Sequence, residues 1–348
     1  MLPEKPGFER LALNRITFGA REREIAAVRE NGWAAWVQDA WRFVPQWKLT
    51  VGGRWETWKA FDGYNLTTTT NSTTGAITAT SAINQPTLNA TRFSPKASLG
   101  FEPNKEWQVT ASVGIANRFP TVAELYQIAT VSGVLINPNP NLVPEQSLST
   151  EVAVERKFAD GRVRLSLFEE DTKDMLVSQN STIPGTTTTT SFVTNVDKVR
   201  NRGVEIAWQK NNVFVPKLEL FGSVTYVDSV ILSDPTFVGT GGSTAVGKRV
   251  PYVPAWRSTL GATYRPSEAW AWTVAGRYQS KVYATLDNID NVANVYQAFD
   301  PFLVFDMRLQ YKVDQRGSIA FGVDNIGNAK YHLFHPFPQR TFVLQGRL

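Results

Sequence analysis

The feature that most constrains this chain is a two-residue alternation of apolar and polar side chains, which recurs from about residue 36 onward. One face of the segment 303–313 carries Leu303, Phe305, Met307, Leu309, Tyr311 and Val313, whereas polar and charged residues dominate the other face. Similar alternation begins at Trp47, Trp107, Leu218 and Trp256. Because successive side chains of a β-strand point to opposite faces, this pattern indicates strands with a different solvent on each face.

About thirteen such segments can be counted, starting near residues 34, 46, 94, 106, 147, 161, 192, 215, 255, 269, 301, 316 and 340. Each is expected to be about ten residues or longer, the length that a tilted strand needs to cross a bilayer. No run of about eighteen apolar residues exists, which excludes an α-helical membrane span. A membrane β-barrel is compatible with the sequence, because its lipid-facing side uses only every second residue.

The connections between these segments alternate in length. Short turns lie near residues 44–45, 103–104, 159–161, 266–267 and 314–317, and long polar loops lie near residues 61–92, 117–146, 173–190, 233–254, 284–297 and 327–339. Outer-membrane barrels have this organisation, with short periplasmic turns and long extracellular loops. A soluble β-sandwich or propeller would share the alternation of side chains, but it does not explain the alternation of connections. We therefore predict an all-β fold: an antiparallel transmembrane β-barrel with long extracellular loops and a short helical N-terminal segment. About thirteen strands is an odd number, whereas bacterial single-chain barrels have an even number, so we expect the barrel to be partial.

Several motifs follow one another along residues 36–348 in an order typical of one known family. They include Arg118–Tyr126, Asn139–Ser147, Val250–Pro254, Val323–Tyr331 and Pro338–Phe342. In these motifs the sequence resembles the barrel of TonB-dependent receptors. We expect these residues to be architectural, since Gly and Pro set turns and strand entries while Asn and Asp bond to loop backbone.

The resemblance implies a parent barrel of about 22 strands with a plugged lumen. Residues 34–348 would then be its C-terminal part, without the plug domain, the energy-coupling segment or a signal peptide. The family implies a place in the Gram-negative outer membrane and contact with its lipid. It also implies TonB-dependent uptake of a scarce nutrient, most often a ferric siderophore, with the TonB complex acting through the plug. We therefore expect that this chain cannot transport by itself.

The first 33 residues differ from the rest. The stretch Glu9–Glu30 is predicted to be helical, and the N-terminus lacks the apolar core of a secretory signal. Residues 9–38 resemble the opening helices of an uncharacterised bacterial protein family. We interpret residues 1–33 as a short helical segment of foreign origin, so that the reading frame is a fusion or a rearranged fragment. A mis-called start is the alternative.

The sequence carries no recognisable enzyme motif. It has no cysteine, no Gly-rich phosphate loop and no serine nucleophile elbow. His332 and His335, like Asp287, Asn288 and Asp290, are better explained as loop residues than as metal ligands. The net charge of +5 is mild and scattered, which disfavours nucleic acid as a partner. We predict a non-enzymatic protein without a cofactor.

Five aromatic residues on the long-loop side are the candidate ligand contacts: Phe119, Tyr126, Phe237, Tyr252 and Tyr283. The resemblance implies this role, whereas packing among the loops is the simpler interpretation. Three other functions remain open from sequence. These are a passive porin-like barrel, a soluble β-rich carbohydrate-binding module, and a relic without a partner.

Overall fold

The computed structural model describes residues 32–71, 73–126, 129–131, 134–182, 189–237 and 242–347. The helix predicted over residues 9–30 and nearly all of the segment 1–33 lie outside these residues. Within them, no helix is long and apolar enough to cross a membrane.

The described chain is almost entirely β-structure with one short helix, α1 (Val122–Tyr126). In chain order the strands are β1 (Gly32–Val44), β2 (Trp47–Ala60), β3 (Tyr64–Thr70), β4 (Ile77–Asn84), β5 (Leu88–Phe101), β6 (Trp107–Arg118), β7 (Ala129–Val131), β8 (Val134–Asn137), β9 (Glu145–Phe158), β10 (Gly161–Thr182), β11 (Thr189–Lys210), β12 (Leu218–Ser233), β13 (Trp256–Tyr264), β14 (Trp270–Gln279), β15 (Phe302–Lys312), β16 (Ser318–Asp324), β17 (His332–Leu333), β18 (His335–Pro336) and β19 (Thr341–Arg347).

Thirteen of these strands form one continuous antiparallel sheet in the order β1-β2-β5-β6-β9-β10-β11-β12-β13-β14-β15-β16-β19. The thirteen strands predicted from the alternation are thereby confirmed. Only β5 starts far from its predicted place, at Leu88 rather than near residue 94, because it stays paired with β2 up to the Ala60–Leu88 pair.

The alternation of the sequence becomes two chemically different faces of this sheet. One face, called here the apolar face, includes the exposed side chains of Val51, Val152, Leu167, Val274 and Phe305. The opposite, polar face carries the residues between them, such as Thr50, Glu151, Ser166, Thr273 and Asp306. So large an exposed apolar surface is characteristic of contact with lipid.

Aromatic pairs border the apolar face at both ends of the strands. Near the short turns, Trp47 stacks on Phe101 with 4.4 Å between ring centroids, and Trp270 packs on Tyr311 at 4.6 Å. Near the long loops, the Tyr226 and Trp256 centroids are 4.8 Å apart. Rings at these two levels suit the two membrane–water interfaces, where one side of an amphipathic ring is wet.

The sheet has two open edges. Within the described residues, β1 pairs only with β2, and β19 pairs only with β16. Both edge strands run from the long-loop side to the short-turn side, because an odd number of antiparallel strands separates the two ends. Pairing β1 directly with β19 would therefore be parallel, so the described strands form a partial barrel wall.

Candidate functional site

The loops on the long-loop side fold into two packed clusters. The first loop cluster has a core of Ala60, Leu125, Tyr126 and Leu142, surrounded by Trp58, Leu88, Leu176 and Val193. It joins the connection between β6 and β9 to side chains of β2, β5, β10 and β11. Leu125, Tyr126 and Leu142 of this connection are therefore packed onto the wall.

A capping box shapes the start of this connection. The Thr121 amide donates to Oε2 of Glu124 at 2.7 Å, and the Glu124 amide donates to Oγ1 of Thr121 at 3.3 Å. These reciprocal bonds satisfy amides at the start of α1. Arg118 completes the arrangement through an ion pair with Glu124. Within the Arg118–Tyr126 motif, Arg118, Thr121 and Glu124 thus stabilise the backbone conformation at the start of α1.

Asn195 fastens the second half of the same connection to β11. Its Oδ1 accepts a hydrogen bond from the Val143 amide at 3.0 Å, and its Nδ2 donates to the carbonyl oxygens of Val143 and Asp174 at 3.0 and 2.7 Å. Asn139 adds a bond from Nδ2 to the Val193 carbonyl at 3.1 Å. Asn139 therefore has an architectural position in the Asn139–Ser147 motif.

Two of the predicted ligand contacts lie in or beside this first cluster. Phe119 stacks on Trp58 with ring centroids 5.7 Å apart. Tyr126 is only 4% exposed, and its hydroxyl donates to the Pro86 carbonyl oxygen. Burial raises the pKa of the Tyr126 phenol above its ordinary value. The structure thus gives Tyr126 a packing position and little surface to offer a ligand.

The second loop cluster has a core of Val177, Val196, Val199, Ile231, Ala245, Val250 and Leu286. Phe237, another predicted contact, packs against this core and is partly buried. Acidic and amide side chains organise the adjoining backbone. Asp290 accepts from the Ala284 amide at 2.7 Å, and Asn288 accepts from the Arg249 amide at 2.8 Å.

Asp287 lies in the same segment and is bonded in the same way. It accepts a hydrogen bond from Ser243 at 2.6 Å. Burial would raise the pKa of this carboxyl, but the hydrogen bonds from Ser243, Thr285 and nearby amides outweigh it and hold the pKa below its usual value. Across the described residues, no group of three His, Cys, Asp or Glu could hold a metal ion.

Tyr252 and Tyr283 meet at the rim of the second cluster. The Tyr252 amide donates to the Tyr283 carbonyl oxygen at 2.8 Å. Tyr252 is 45% exposed and has a φ of 63°, a strained backbone conformation for a bulky residue. Partial burial raises the pKa of the Tyr252 phenol, and the charge of Asp290 adds to the rise. The Lys281 ammonium lies 5.2 Å from the centre of the Tyr283 ring.

Beside Tyr252 lies an aromatic group that the sequence analysis missed. The loops before β15 and β19 contain two matching heptapeptides, Tyr-Gln-Ala-Phe-Asp-Pro-Phe at 296–302 and Tyr-His-Leu-Phe-His-Pro-Phe at 331–337. The two segments pair through backbone bonds, including Phe334 amide to Ala298 carbonyl and Asp300 amide to His332 carbonyl. We call this pair the aromatic ribbon.

The rings of the aromatic ribbon form two groups of contacts, one around Phe334 and one around Tyr331. Tyr296 lies 5.4 Å from Phe334 and 5.1 Å from His335, while Phe302 stacks on Tyr331 at 4.6 Å. Tyr252 extends the group, because its ring meets Phe299 edge-on at 5.2 Å. The repeated Tyr-x-x-Phe-x-Pro-Phe spacing was the sequence signal that could have identified this surface.

Asp300 connects the two segments of the aromatic ribbon through hydrogen bonds. Its carboxylate accepts from the backbone amides of Asn294 at 2.9 Å and His332 at 2.8 Å, and it lies 3.2 Å from Nδ1 of His332. His332 thereby helps to hold the two loops together. His335, in contrast, is exposed among the aromatic rings.

The polar face carries a hydrogen-bonded ladder across four strands. Ser149 on β9 donates to Oε2 of Glu170 on β10 at 3.0 Å, and Asn201 on β11 donates to Oε1 of the same carboxylate at 3.3 Å. Ser229 on β12 then donates to Oδ1 of Asn201 at 2.6 Å. A polar wall of this kind is what the interior of a membrane barrel presents.

The geometry thus separates the five predicted contacts into two groups. Phe119 and Tyr126 belong to the first loop cluster, whereas Phe237, Tyr252 and Tyr283 belong to the second. The exposed part of the second group, extended by the aromatic ribbon, is the candidate functional site.

Comparison with known proteins gives this architecture a family. A model described as TonB-dependent receptor-like β-barrel matches residues 12–326. The vitamin B12 transporter BtuB of Vibrio vulnificus is 24% identical over 250 residues, covering 72% of this chain and 35% of the relative. The siderophore receptor PiuA of Acinetobacter baumannii is 22% identical over 306 residues, covering 86% of this chain and 37% of the relative. The chain therefore spans about a third of the length of these curated relatives.

Solved structures show the same fold. The ferric-catecholate import receptor Fiu of E. coli K12 aligns with a TM-score of 0.69 at 18% identity, over 90% of this chain and 44% of that one. The copper transporter OprC aligns with a TM-score of 0.68 at 18% identity, over 89% and 47% respectively. Together with the family match over most of the sequence, these findings lead to one conclusion. The chain belongs to the TonB-dependent receptor-like β-barrel family, whose members are outer-membrane receptors and transporters of Gram-negative bacteria and not enzymes.

Proposed function

We propose that this chain supplies wall and extracellular ligand-capture surface to a TonB-dependent receptor, and that the ligand is a ferric siderophore. The observation that carries the proposal is the exposed aromatic surface made by Tyr252 and the aromatic ribbon, with Tyr283 beside it. Three separate loops converge there on rings that remain partly open to solvent.

The chemistry of this surface favours a ligand with flat, electron-rich groups. Tyr296 is 56% exposed, and its ring packs against Phe334 and His335. Aromatic rings stack with planar organic groups, and the nearby Lys281 ammonium attracts the negative charge that iron-chelating oxygen ligands carry. A relative named as a siderophore receptor supports a siderophore as the ligand. Because other similar proteins are named as vitamin B12 and copper transporters, these two ligands are the alternatives to test.

Binding of defined ligands to the folded chain tests the proposal. We expect a ferric catecholate siderophore to quench the intrinsic fluorescence in a saturable way, and cyanocobalamin and cupric ion to bind much more weakly. Tyr252→Ala should weaken siderophore binding about tenfold, since truncating an aromatic anchor costs more than about 1 kcal/mol. Tyr64→Ala is the matched control, because Tyr64 on β3 is also an exposed tyrosine of the long-loop side, at 58% against 45% for Tyr252, and lies outside the site.

A preference for cobalamin or copper would overturn the siderophore assignment while leaving the family intact. Equal loss of siderophore affinity in the Tyr252 and Tyr64 variants would contradict the proposal that the binding site lies at the second loop cluster.

We further infer that the energised step needs parts of a receptor beyond the described strands, with the TonB complex acting through a plug. The open edges of the sheet and the greater length of the relatives support this inference.

The foreign origin of residues 1–33 also stays a proposal. The family match begins at residue 12 and β1 begins at Gly32, so both overlap the segment proposed to be foreign. Sequencing upstream of Met1 tests it, since an in-frame receptor gene there would contradict a fusion.

A further inference from the structure

We propose that the hairpin of β3 and β4 is an adhesive surface, through which β4 pairs antiparallel with β4 of a second copy of this chain in a facing membrane. The hairpin is anchored at the first loop cluster. This surface is therefore separate from the aromatic surface at the second loop cluster that is proposed to capture a nutrient.

The base of the hairpin is fastened to the wall. The hairpin joins β2 to β5, and the residues that flank it, Ala60 and Leu88, belong to the first loop cluster. Nδ2 of Asn65 donates to the Tyr126 carbonyl oxygen at 2.9 Å, and Nε2 of Gln85 donates to Oδ1 of Asn65 at 2.8 Å. These hydrogen bonds connect the hairpin to the end of α1.

The outer edge of β4 carries unpaired backbone groups. β3 and β4 form a two-stranded sheet of their own, and within the described residues β4 pairs with no other strand. The Gln85 amide donates to the Gly63 carbonyl oxygen at 2.7 Å, and hydrogen-bonded pairs alternate along an antiparallel ladder. The register therefore directs the N–H and C=O groups of Thr80, Ala82 and Asn84 away from β3.

This edge lacks the features that usually prevent strand addition. Natural edge strands carry charged side chains, especially lysine, or proline. Every residue from 63 to 91 is uncharged, and Pro86 lies beyond the end of β4. The whole of β4 is exposed. An exposed, uncharged strand without Pro or Gly has the composition of segments that pair with their own copies.

The regular part of β4 is also complementary to itself. The register shift of the hairpin lies near its tip, so residues 79–84 form an uninterrupted edge. In an antiparallel pair centred on Ala82, that residue faces Ala82 of the second copy, and Thr80 faces Asn84. Ser81 then faces Ile83 on the other side of the sheet. No like charges oppose one another, and the side chains of Thr80 and Asn84 can form a hydrogen bond across the strands.

The direction of β4 determines where the second copy lies. In every copy, β4 runs from the tip of the hairpin back towards the wall. Two copies in one membrane present β4 in the same direction, whereas copies in two facing membranes present it in opposite directions, as antiparallel pairing requires. The inferred further function is therefore adhesion between outer membranes that carry this chain.

Vesicle clustering tests the proposal. The folded chain is reconstituted into two populations of phosphatidylcholine vesicles with different fluorophores, and energy transfer between the fluorophores reports clustering. We expect the unaltered chain to cluster the vesicles. Ala82→Lys should weaken each contact by up to about fivefold, because like charges would face each other across the pair. Clustering should fall more steeply than this, since many contacts act together.

Leu66→Lys is the matched control. Leu66 is the cross-strand partner of Ala82, so the new lysine adds the same charge to the same face of the hairpin, but on β3 and away from the pairing edge. This variant should cluster vesicles like the unaltered chain. Association through the open edges of the wall would respond to neither substitution.

A mixing experiment separates loss of pairing from loss of folding. Ala82→Lys vesicles should cluster with Ala82→Glu vesicles, because opposite charges then face each other, whereas neither population should cluster by itself. The proposal is overturned if the unaltered chain does not cluster vesicles or if the Ala82 and Leu66 lysine variants cluster alike. It is also overturned if mixing the lysine and glutamate variants of Ala82 does not restore clustering.

Discussion

At the residue scale, close strand packing leaves no room for a side chain at particular glycines. A Cβ on Gly203 would lie 2.2 Å from the Tyr226 carbonyl oxygen and 2.7 Å from the Phe168 ring. Because a carbonyl oxygen is part of the strand backbone, the clash cannot be relieved by turning one side chain. Gly346, on edge strand β19, has nothing within 4 Å of the same position.

We therefore expect Gly203→Ala to destabilise the fold by about 1–3 kcal/mol, the usual cost of overpacking. Gly346→Ala should change stability by less than about 0.5 kcal/mol, as exposed substitutions do. Urea unfolding of the two variants in detergent checks the difference. Equal stability of both variants would show that β11 and β12 are not packed this closely.

Asp234, at the loop end of β12, supplies a prediction with a pH dependence. Burial raises the pKa of its carboxyl, the charge of Asp197 adds to this rise, and hydrogen bonds from Thr236 and the Phe237 amide oppose it. A raised pKa means that the folded state favours the neutral acid. Stability from this group is thus present below the ordinary Asp value and is lost as pH rises through the folded pKa.

Asp234→Asn should therefore raise the thermal stability at pH 7 and give no gain near pH 3. Asp306→Asn is the control, because Asp306 lies 2.9 Å from the Arg277 guanidinium, and losing that pair should not stabilise at any pH. Thermal unfolding at the two pH values measures both variants. A destabilised Asp234 variant at neutral pH would mean that the charged carboxylate has a partner after all.

At the scale of elements, the strands were predictable and the loop packing was not. In strand β15, Leu303, Phe305 and Met307 lie on one face, as the alternation predicts. For a strand between lipid and a polar interior, the alternation of apolar and polar residues is sufficient to assign each side chain to a face. The clusters depend on contacts between distant loops, such as Asn195 with Val143. Single-sequence reasoning named Tyr252 and Tyr283 as candidate ligand contacts, which stays a prediction. It did not single out Tyr296 and Phe334, because the contact between their rings depends on two distant loops.

The same element gives a prediction about membrane contact. Met307→Arg places a charge in the middle of the apolar face and should destabilise the membrane-inserted chain by about 2–4 kcal/mol, the cost of arginine at the midplane. Gln310→Arg, on the polar face of the same strand, should be tolerated. Unfolding in lipid vesicles compares them, and equal tolerance would contradict the assignment of the two faces.

At the scale of the whole molecule, the odd number of strands determines whether the described sheet can close into an antiparallel barrel by itself. β1 and β19 run in the same direction, so an antiparallel ring requires an odd number of further strands between them. This disfavours the passive porin-like barrel, and the exposed apolar face disfavours the soluble carbohydrate-binding module.

We accordingly expect the refolded chain to migrate on gels in the same place before and after boiling in SDS. Closed barrels resist SDS until heated, because their backbone polar groups are paired around the ring. A heat-dependent shift would show that these strands close by themselves, and conductance in planar bilayers would then become the next test of a pore.

The most direct test of the central claim, that this chain is a receptor wall with one face in lipid, is cysteine accessibility along β15. The sequence has no cysteine, so each introduced thiol is unique. In lipid bilayers, a charged, membrane-impermeant maleimide should label Arg308→Cys and Gln310→Cys and leave Phe305→Cys and Met307→Cys unlabelled. Uniform labelling of all four positions, or protection of the polar positions alone, would contradict the account.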